Sequence, residues 1–448
     1  MQHPYIPQTD QDQKEMLDTI GVDSIRDLFK DVPEEVSLDG HLDLPEAKSE
    51  LEVMNYLSGL AKMNRSTSEL TSFRGVGSYD HYIPTVVGHI TGRSEFYTSY
   101  TPYQPEVSQG TLQYIFEFQS FITRLTGLPI ANASLYDNGY SIAEAGIMCA
   151  NTYRKDKVVV SESVSPTARE VLKTYCRNLD IEVVEVPMKD GHTDMEALEK
   201  AVDDKASCII AQSPNFFGHL EDVEKMSELA HSVKKCGMVL STDLGSLSIL
   251  RKPSEYGVDV VVGDIQSMGM PMSFGGPTCG FMATTDKFLR KFPGRIVGQT
   301  EDTKGKRGWV LTLNTREQHI RREKATSNIC SNQGLNVLAA TVYMSLMGDK
   351  GLKEVASQST KKAHYAYNKL IETGNFEPYS DRPFYKEFAL KSKKPVDEIN
   401  TKLKEAGILG GFEAKRLYKD LDDVIIIAVT EKRTKEEIDK LVEIMGEA

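Results

Sequence analysis

The chain has 448 residues, 40% of them apolar and 26% charged, with a formal net charge of −12. That length accommodates two or three domains and a substantial core, and the composition is ordinary for a globular protein. The acidic balance excludes a general nucleic-acid binder, which needs a basic face, and six scattered cysteines without a C-x-x-C pair exclude a zinc cluster or a disulfide framework.

The amino terminus lacks the basic-then-apolar pattern of a signal peptide. A long uncharged run, residues 265–285, is interrupted by glycines and prolines and reads as loop rather than membrane helix. No membrane is expected as a partner, and a cytoplasmic location with reduced thiols is expected.

Residues 10–20 read as a helix ending at Gly21, 23–30 as a second, and 45–64 as a third, with Leu51, Met54, Leu57 and Leu60 at helical spacing. Modest apolar content makes residues 1–70 an arm that packs on a neighbour rather than a domain. Residues 72–110 are dense in glycine, tyrosine and proline, and long segments of this kind in compact proteins are usually functional. Within them Tyr97, Tyr100 and Tyr103 are interleaved with Thr101-Pro102 and Gln104-Pro105. Prolines would hold these rings as a rigid wall with hydroxyls toward a ligand, or the loop packs them on its own core. His81 and His89 have no third ligand nearby and read as non-metal.

From residue 111 to about 305 helix and strand signals alternate. Helices are expected at 111–127, 140–150, 168–178 and 222–235, and strands at 157–161, 181–186, 208–211, 238–242 and 258–262. This alternation predicts a mostly parallel sheet covered on both faces, an α/β fold. Asp137-Asn138-Gly139 precedes the helix at 140, where backbone N–H groups cradle a phosphate or where Asn-Gly merely turns the chain. Asn314-Thr315-Arg316-Glu317 resembles a capping box opening a helix through residue 328. Helices at 335–347, 352–373, 396–406 and 435–445 and strands at 384–390 and 424–429 complete a smaller α+β domain, with Thr434 as the last N-cap. The expected division is an arm (1–70), a large domain (71–334) and a small one (335–448).

Strand 238–242 delivers Asp243 at its carboxyl end. Strand 258–262 then leads into Gly263-Asp264-Ile265-Gln266-Ser267 and the glycine-rich Phe274-Gly275-Gly276-Pro277. This order resembles the cofactor half of a fold-type I pyridoxal phosphate (PLP) enzyme, the aspartate aminotransferase architecture. There a strand-end aspartate pairs with the pyridine nitrogen and a lysine about one strand later forms the aldimine. No lysine lies between Lys252 and Lys287. The lysine's place falls on Ser267, which cannot form a Schiff base. Asp243 alone is also an ordinary cap for the following turn. Together Asp137, Asn138, Gly139, Asp243 and Ser267 read as a degenerate cofactor site.

The segments YTSYTPYQPEVSQG, LTGLPIANASLYDNG, PMSFGGPTCGFMAT, PGRIVGQT and TLNTREQHIRREKATSNICSNQ resemble the N-terminal (alpha) subunit of the glycine cleavage system P protein, a resemblance that runs over the whole chain. It implies glycine decarboxylation with PLP and transfer of the aminomethyl unit to the lipoyl arm of H protein. It further implies that the PLP lysine belongs to a beta subunit, in an α2β2 assembly whose competent pocket this chain completes. By the same resemblance Tyr100, Thr101, Tyr103 and Gln104 are its contribution to the partner's substrate pocket. Two alternatives remain: a self-sufficient PLP enzyme using Lys324 or Lys287, and a non-catalytic scaffold that docks H protein. Lys324 lacks the strand–loop–glycine setting and any reason for a lowered pKa.

Overall fold

The computed structural model describes residues 5–38, 40, 42–327 and 333–447. The chain divides into two compact units, Met1–Asn64 and Arg65–Ala448. In the first, α1 (Asp10–Ile20) opens on a reciprocal Thr9–Asp12 capping box and closes at Gly21, whose φ of 83° favours glycine. The helix expected at 23–30 is a short 3-10 turn, Ile25–Phe29, capped by Ser24 and Asp27. In α2 (Glu50–Ala61), Ser49 and Glu52 form the capping box, and Leu51, Met54, Leu57 and Leu60 are exposed.

The second unit is built on a seven-stranded sheet: β1 (Ile130–Ala131), β2 (Lys157–Ser161), β3 (Glu182–Val186), β4 (Ala206–Gln212), β5 (Gly237–Ser241), β6 (Val260–Asp264) and β7 (Gly280–Thr284). Their order is β1-β7-β6-β5-β4-β2-β3. Strands β3, β2, β4, β5 and β6 run parallel, and β7 is antiparallel to both β6 and β1. The run Val158-Val159-Val160 shows why the sheet is buried on both faces: Val159 joins one apolar core while Val158 and Val160 join the other. Helices α3 (Gln109–Thr126), α4 (Asn138–Tyr153), α5 (Pro166–Arg177) and α6 (Val223–Ser232) cover the sheet.

The helices expected at 335–347 and 352–373 form one run, α7 (Gly334–Glu372), broken at Gly348 where φ is 58° and ψ −173°. Strands β8 (Phe376–Pro378), β9 (Glu387–Ser392), β10 (Phe412–Glu413) and β11 (Val424–Ala428) form an antiparallel sheet in the order β8-β9-β11-β10. As expected, Thr434 caps the last helix, Lys435–Glu447, through Glu437 N–H at 3.2 Å, and Glu437 returns the bond to Thr434 N–H at 2.8 Å.

The helix expected through residue 328 does not form. Leu313, not Asn314, stands at the opening and makes no side-chain cap bond. Only Gln318–Arg321 is α-helical, and Arg322 then turns to φ 52°. The segment carries six charged residues and one large apolar one, Ile320, so it has no apolar stripe to bury and tertiary packing gives it no reason to continue. Its last residue, 328, lies outside the described residues. Among the described residues no helix is long and apolar enough to cross a membrane.

Candidate functional site

The carboxyl ends of parallel strands are where open α/β sheets bind ligands. Here Gln212, Asp243 and Asp264, from the ends of β4, β5 and β6, line a cavity of ≈ 60 Å³ together with Asn138 and Ser267. That is room for a few waters. Its opposite wall comes from Tyr79 and from Tyr385-Lys386-Glu387, which leads into β9 of the small sheet. The Lys386–Glu387 segment is locked in place by close backbone approaches. A Cβ on Gly218 (φ 84°) would meet the Glu387 carbonyl oxygen at 1.9 Å, and one on Gly75 would meet Glu387 Oε1 at 2.0 Å.

Asp243 divides its two oxygens. Oδ1 accepts from Gly245 N–H at 2.8 Å, capping the next turn, and Oδ2 pairs with Lys386 Nζ at 2.7 Å. Burial alone would push this carboxyl up, but the Lys386 charge and these hydrogen bonds outweigh it and hold Asp243 below the usual carboxylate range. Lys386 Nζ also lies 2.8 Å from His81 Nε2 and 3.7 Å from the centre of the Tyr79 ring. Burial, then the neighbouring ammonium, lowers His81, so the ring is neutral and Nε2 accepts. Its Nδ1–H then donates to Glu431 Oε2 at 2.6 Å, a tautomer assigned from this network. Despite burial, the His81 bond and Tyr82 N–H bring Glu431 down to about 2. Glu387 is different: burial pushes it up to about 7, although it accepts from Val76 N–H at 2.6 Å and Tyr79 Oη at 2.9 Å.

The structure brings Asn138, Asp243 and Ser267 to one cavity, with Asp137 and Gly139 at the adjoining amino terminus of α4. The helix end is spent internally. Asp137 Oδ1 accepts from Tyr140 N–H at 2.8 Å, and Asn138 Oδ1 accepts from Ser241 Oγ at 2.9 Å. A Cβ on Gly139 would touch Val171 of α5 at 3.2 Å, so this glycine serves helix packing. Asp264, pushed up to about 6 by burial, accepts from Thr278 Oγ1 and from Gln266 N–H at 2.7 Å. PLP does not fit this chain's residues. Asp243, the strand-end carboxylate, is already paired with Lys386, the Ser267 hydroxyl in the cavity offers no amine for an aldimine, and Asp137 places a carboxylate at the helix amino terminus.

The tyrosine loop has the opposite character. Tyr100 is 83% exposed and Tyr97 68%. Tyr100 and Thr101 line a groove of ≈ 340 Å³ with Phe96, Pro277 and Asn336. Tyr103 is separate from that groove: its Oη accepts from Arg295 Nη2 at 3.0 Å, and its ring packs edge-on against His319 at 5.1 Å. Nε and Nη1 of the buried Arg295 are without a hydrogen-bond partner among the described residues. Gln104 is exposed and precedes the turn Pro105–Val107 without a side-chain cap bond.

Lys324 and Lys287 are exposed and border neither cavity; Lys287 Nζ lies over the Tyr153 ring at 4.5 Å. Lys386 and its neighbour His81 are the site residues that sequence reasoning missed. The available signal was Lys386-Glu387, two charged residues heading the otherwise apolar run Phe388-Ala389-Leu390. A buried lysine needs a partner, and only the fold brings Asp243 to it.

The strand order, the mixed sheet and the small antiparallel sheet that follows it define the fold-type I class of PLP-dependent enzymes. Two solved structures share the fold at low identity: a glutamate decarboxylase from Lactobacillus brevis (TM-score 0.69, 12% identity, 93% of this chain and 96% of that one) and a sphingosine-1-phosphate lyase from Burkholderia pseudomallei (0.66, 13%, 92% and 93%). A crystal structure of glycine decarboxylase (P-protein) of the glycine cleavage system in inhibitor-bound form superposes with a TM-score of 0.89. It is 39% identical, covering 99% of this chain and 100% of that one. Residues 3–445 match the family described as Glycine cleavage system P-protein. A relative from Geobacillus sp. (strain WCH70), named "Probable glycine dehydrogenase (decarboxylating) subunit 1", is 52% identical over 447 residues, 100% of this chain and 99% of its own; one of the same name from Bacillus cytotoxicus is 51% identical. The chain belongs to the glycine cleavage system P-protein family.

Proposed function

We propose that the chain is the alpha subunit of a glycine dehydrogenase (decarboxylating), a subunit without a cofactor of its own that completes the PLP pocket of a beta subunit. The observation that carries this is the full-length likeness to relatives named as subunit 1, at 52% identity over 447 residues. The engagement of Asp243 by Lys386, with Ser267 at the lysine position, supports placing the cofactor on the partner. Bound there, PLP supplies the electron sink for loss of CO2 from glycine. The aminomethyl unit then passes to the lipoyl arm of H protein, and the assembly is an α2β2 heterotetramer.

In this assignment Tyr100, Thr101, Tyr103 and Gln104 face the partner's pocket. Exposure of Tyr100 beside a groove supports that role, because a glycine pocket needs polar contacts to one amine and one carboxylate rather than a large apolar slot. Tyr103 presents a ring already positioned by Arg295 and His319. Residues 1–70 form the arm, 71–334 the large domain and 335–448 the small one, a division supported by the separate antiparallel sheet of the carboxyl-terminal part. A cytoplasmic site of action accords with the buried free thiols of Cys149, Cys176, Cys208, Cys236 and Cys279.

The test is exchange of labelled CO2 into glycine. The purified chain with PLP and lipoylated H protein is expected to give none, and addition of the beta subunit is expected to give activity. Exchange by the chain alone, or full exchange by the beta subunit without it, would overturn the assignment.

A further inference from the structure

Lys386 is 2% exposed in its side chain, and a lysine taken out of water is costly unless its charge is matched. Three groups converge on its ammonium: Asp243 Oδ2 at 2.7 Å, His81 Nε2 at 2.8 Å and the Tyr79 face at 3.7 Å. Each of the three N–H bonds therefore has an acceptor or a π face. His81 is braced from behind by Glu431, and Glu387, the remaining carboxyl beside the lysine, is occupied by Val76 N–H and Tyr79. The lysine enters from the small sheet, across the cavity from the strand ends.

We infer that Lys386 acts as the chain's own counter-ion at Asp243, filling the seat of a cationic ring, so that this pocket is closed to pyridoxal phosphate and becomes a site for a small alkylammonium ion only when the lysine is shortened. The inference rests on the proposed descent of the pocket from a cofactor site. It gives that proposal a cause within the chain: of the two pockets in a pair, one is sealed by a side chain. Lys386→Ala keeps Cβ and removes three carbons and the ammonium, the shape of propylammonium. Propanol has nearly the same volume without the charge.

The experiment uses the purified full-length chain and reads thermal unfolding and ligand binding, so its failure is distinguishable from failure of the glycine assignment, which is read from CO2 exchange. Lys386→Ala is expected to melt roughly 3–5 °C below the wild type. Propylammonium is expected to restore part of that loss and propanol none, while neither shifts the wild type. Pyridoxine 5′-phosphate, which has no aldehyde to react with surface lysines, is expected to show no saturable binding to the wild type by calorimetry. The double variant Asp243→Asn/Lys386→Met is expected to be more stable than Lys386→Met alone, since it strands no buried charge. If the single variants do not fold, recovery of folded chain in the double variant supports the inference equally. A Lys386→Ala variant that melts with the wild type, equal effects of propylammonium and propanol, saturable pyridoxine phosphate binding, or a double variant no better than the single one would overturn the inference.

Discussion

At Asp243 one carboxylate oxygen caps a turn and the other holds an ammonium, whereas at Tyr100 a phenol stands 83% exposed beside an open groove. Both places derive from the same kind of scaffold, in which strand ends and neighbouring loops frame a pocket. Around Asp243 the polar groups are matched within the chain, down to the helix terminus that Asp137 caps. Around the tyrosine loop they are not: Arg295 keeps N–H groups unpartnered among the described residues, and the rings of Tyr97 and Tyr100 are exposed. The difference teaches how the same chain can satisfy one pocket internally and leave another open. On the proposed reading, internal partners stand in for a ligand's contacts at Asp243, while the tyrosine loop keeps its surface for another molecule. Stability and activity are therefore expected to separate between the two regions.

The largest effect is expected at the sealed pocket. Asp243→Ala leaves Lys386 buried without its carboxylate and is expected to cost about 3–5 kcal/mol, read from urea unfolding. A loss below about 1 kcal/mol would mean that the pair is not what closes the pocket.

Glu387 gives a pH signature of the same region. Burial raises it to about 7 from an ordinary 4.5, so the fold favours its neutral form. Its contribution is therefore complete below about pH 4.5 and lost as pH rises toward 7. Glu387→Gln removes that dependence. The wild type's stability relative to the variant is expected to fall by on the order of 3 kcal/mol across this window, read from denaturation midpoints at stepped pH. Parallel pH profiles would contradict it.

At the tyrosine loop the expectation inverts. Tyr100→Phe, assembled with the beta subunit, is expected to keep its unfolding midpoint and lose roughly ten- to hundredfold in kcat/KM, the cost of about 1–3 kcal/mol for an unsatisfied polar partner. Tyr103→Phe also strands the Arg295 N–H bound to its hydroxyl, so it should show a stability loss as well as a kinetic one. Normal kinetics in both variants with intact complexes would assign the loop to packing alone.

Thr434→Ala supplies the baseline. It removes an N-cap whose hydroxyl bonds to neither region and is expected to cost about 1 kcal/mol with unchanged kcat/KM in the assembled enzyme.

Much of the scaffold is legible in the sequence because its signals are local. Lys157–Ser161 is expected and found with the same bounds, and Asp243 lies just past a strand end, as the apolar run before it implies. The helix expected through 328 fails because a capping pattern describes a start, not the packing that sustains a helix. Lys386 is out of reach for a different reason. Its partners Asp243, His81 and Tyr79 come from distant parts of the chain, and no periodicity joins them. The absence of a lysine near Ser267 is visible in the sequence; a lysine entering the same pocket from the small sheet is not.

The central claim is that this chain holds no cofactor and completes a pocket that does. Its most direct test is borohydride reduction of the complex reconstituted with the beta subunit and PLP, followed by peptide mapping of the phosphopyridoxyl label. The predicted result is label on a lysine of the beta subunit and none in the pocket of this chain. A phosphopyridoxyl group on Lys386, or stoichiometric labelling of any other lysine here, would contradict it.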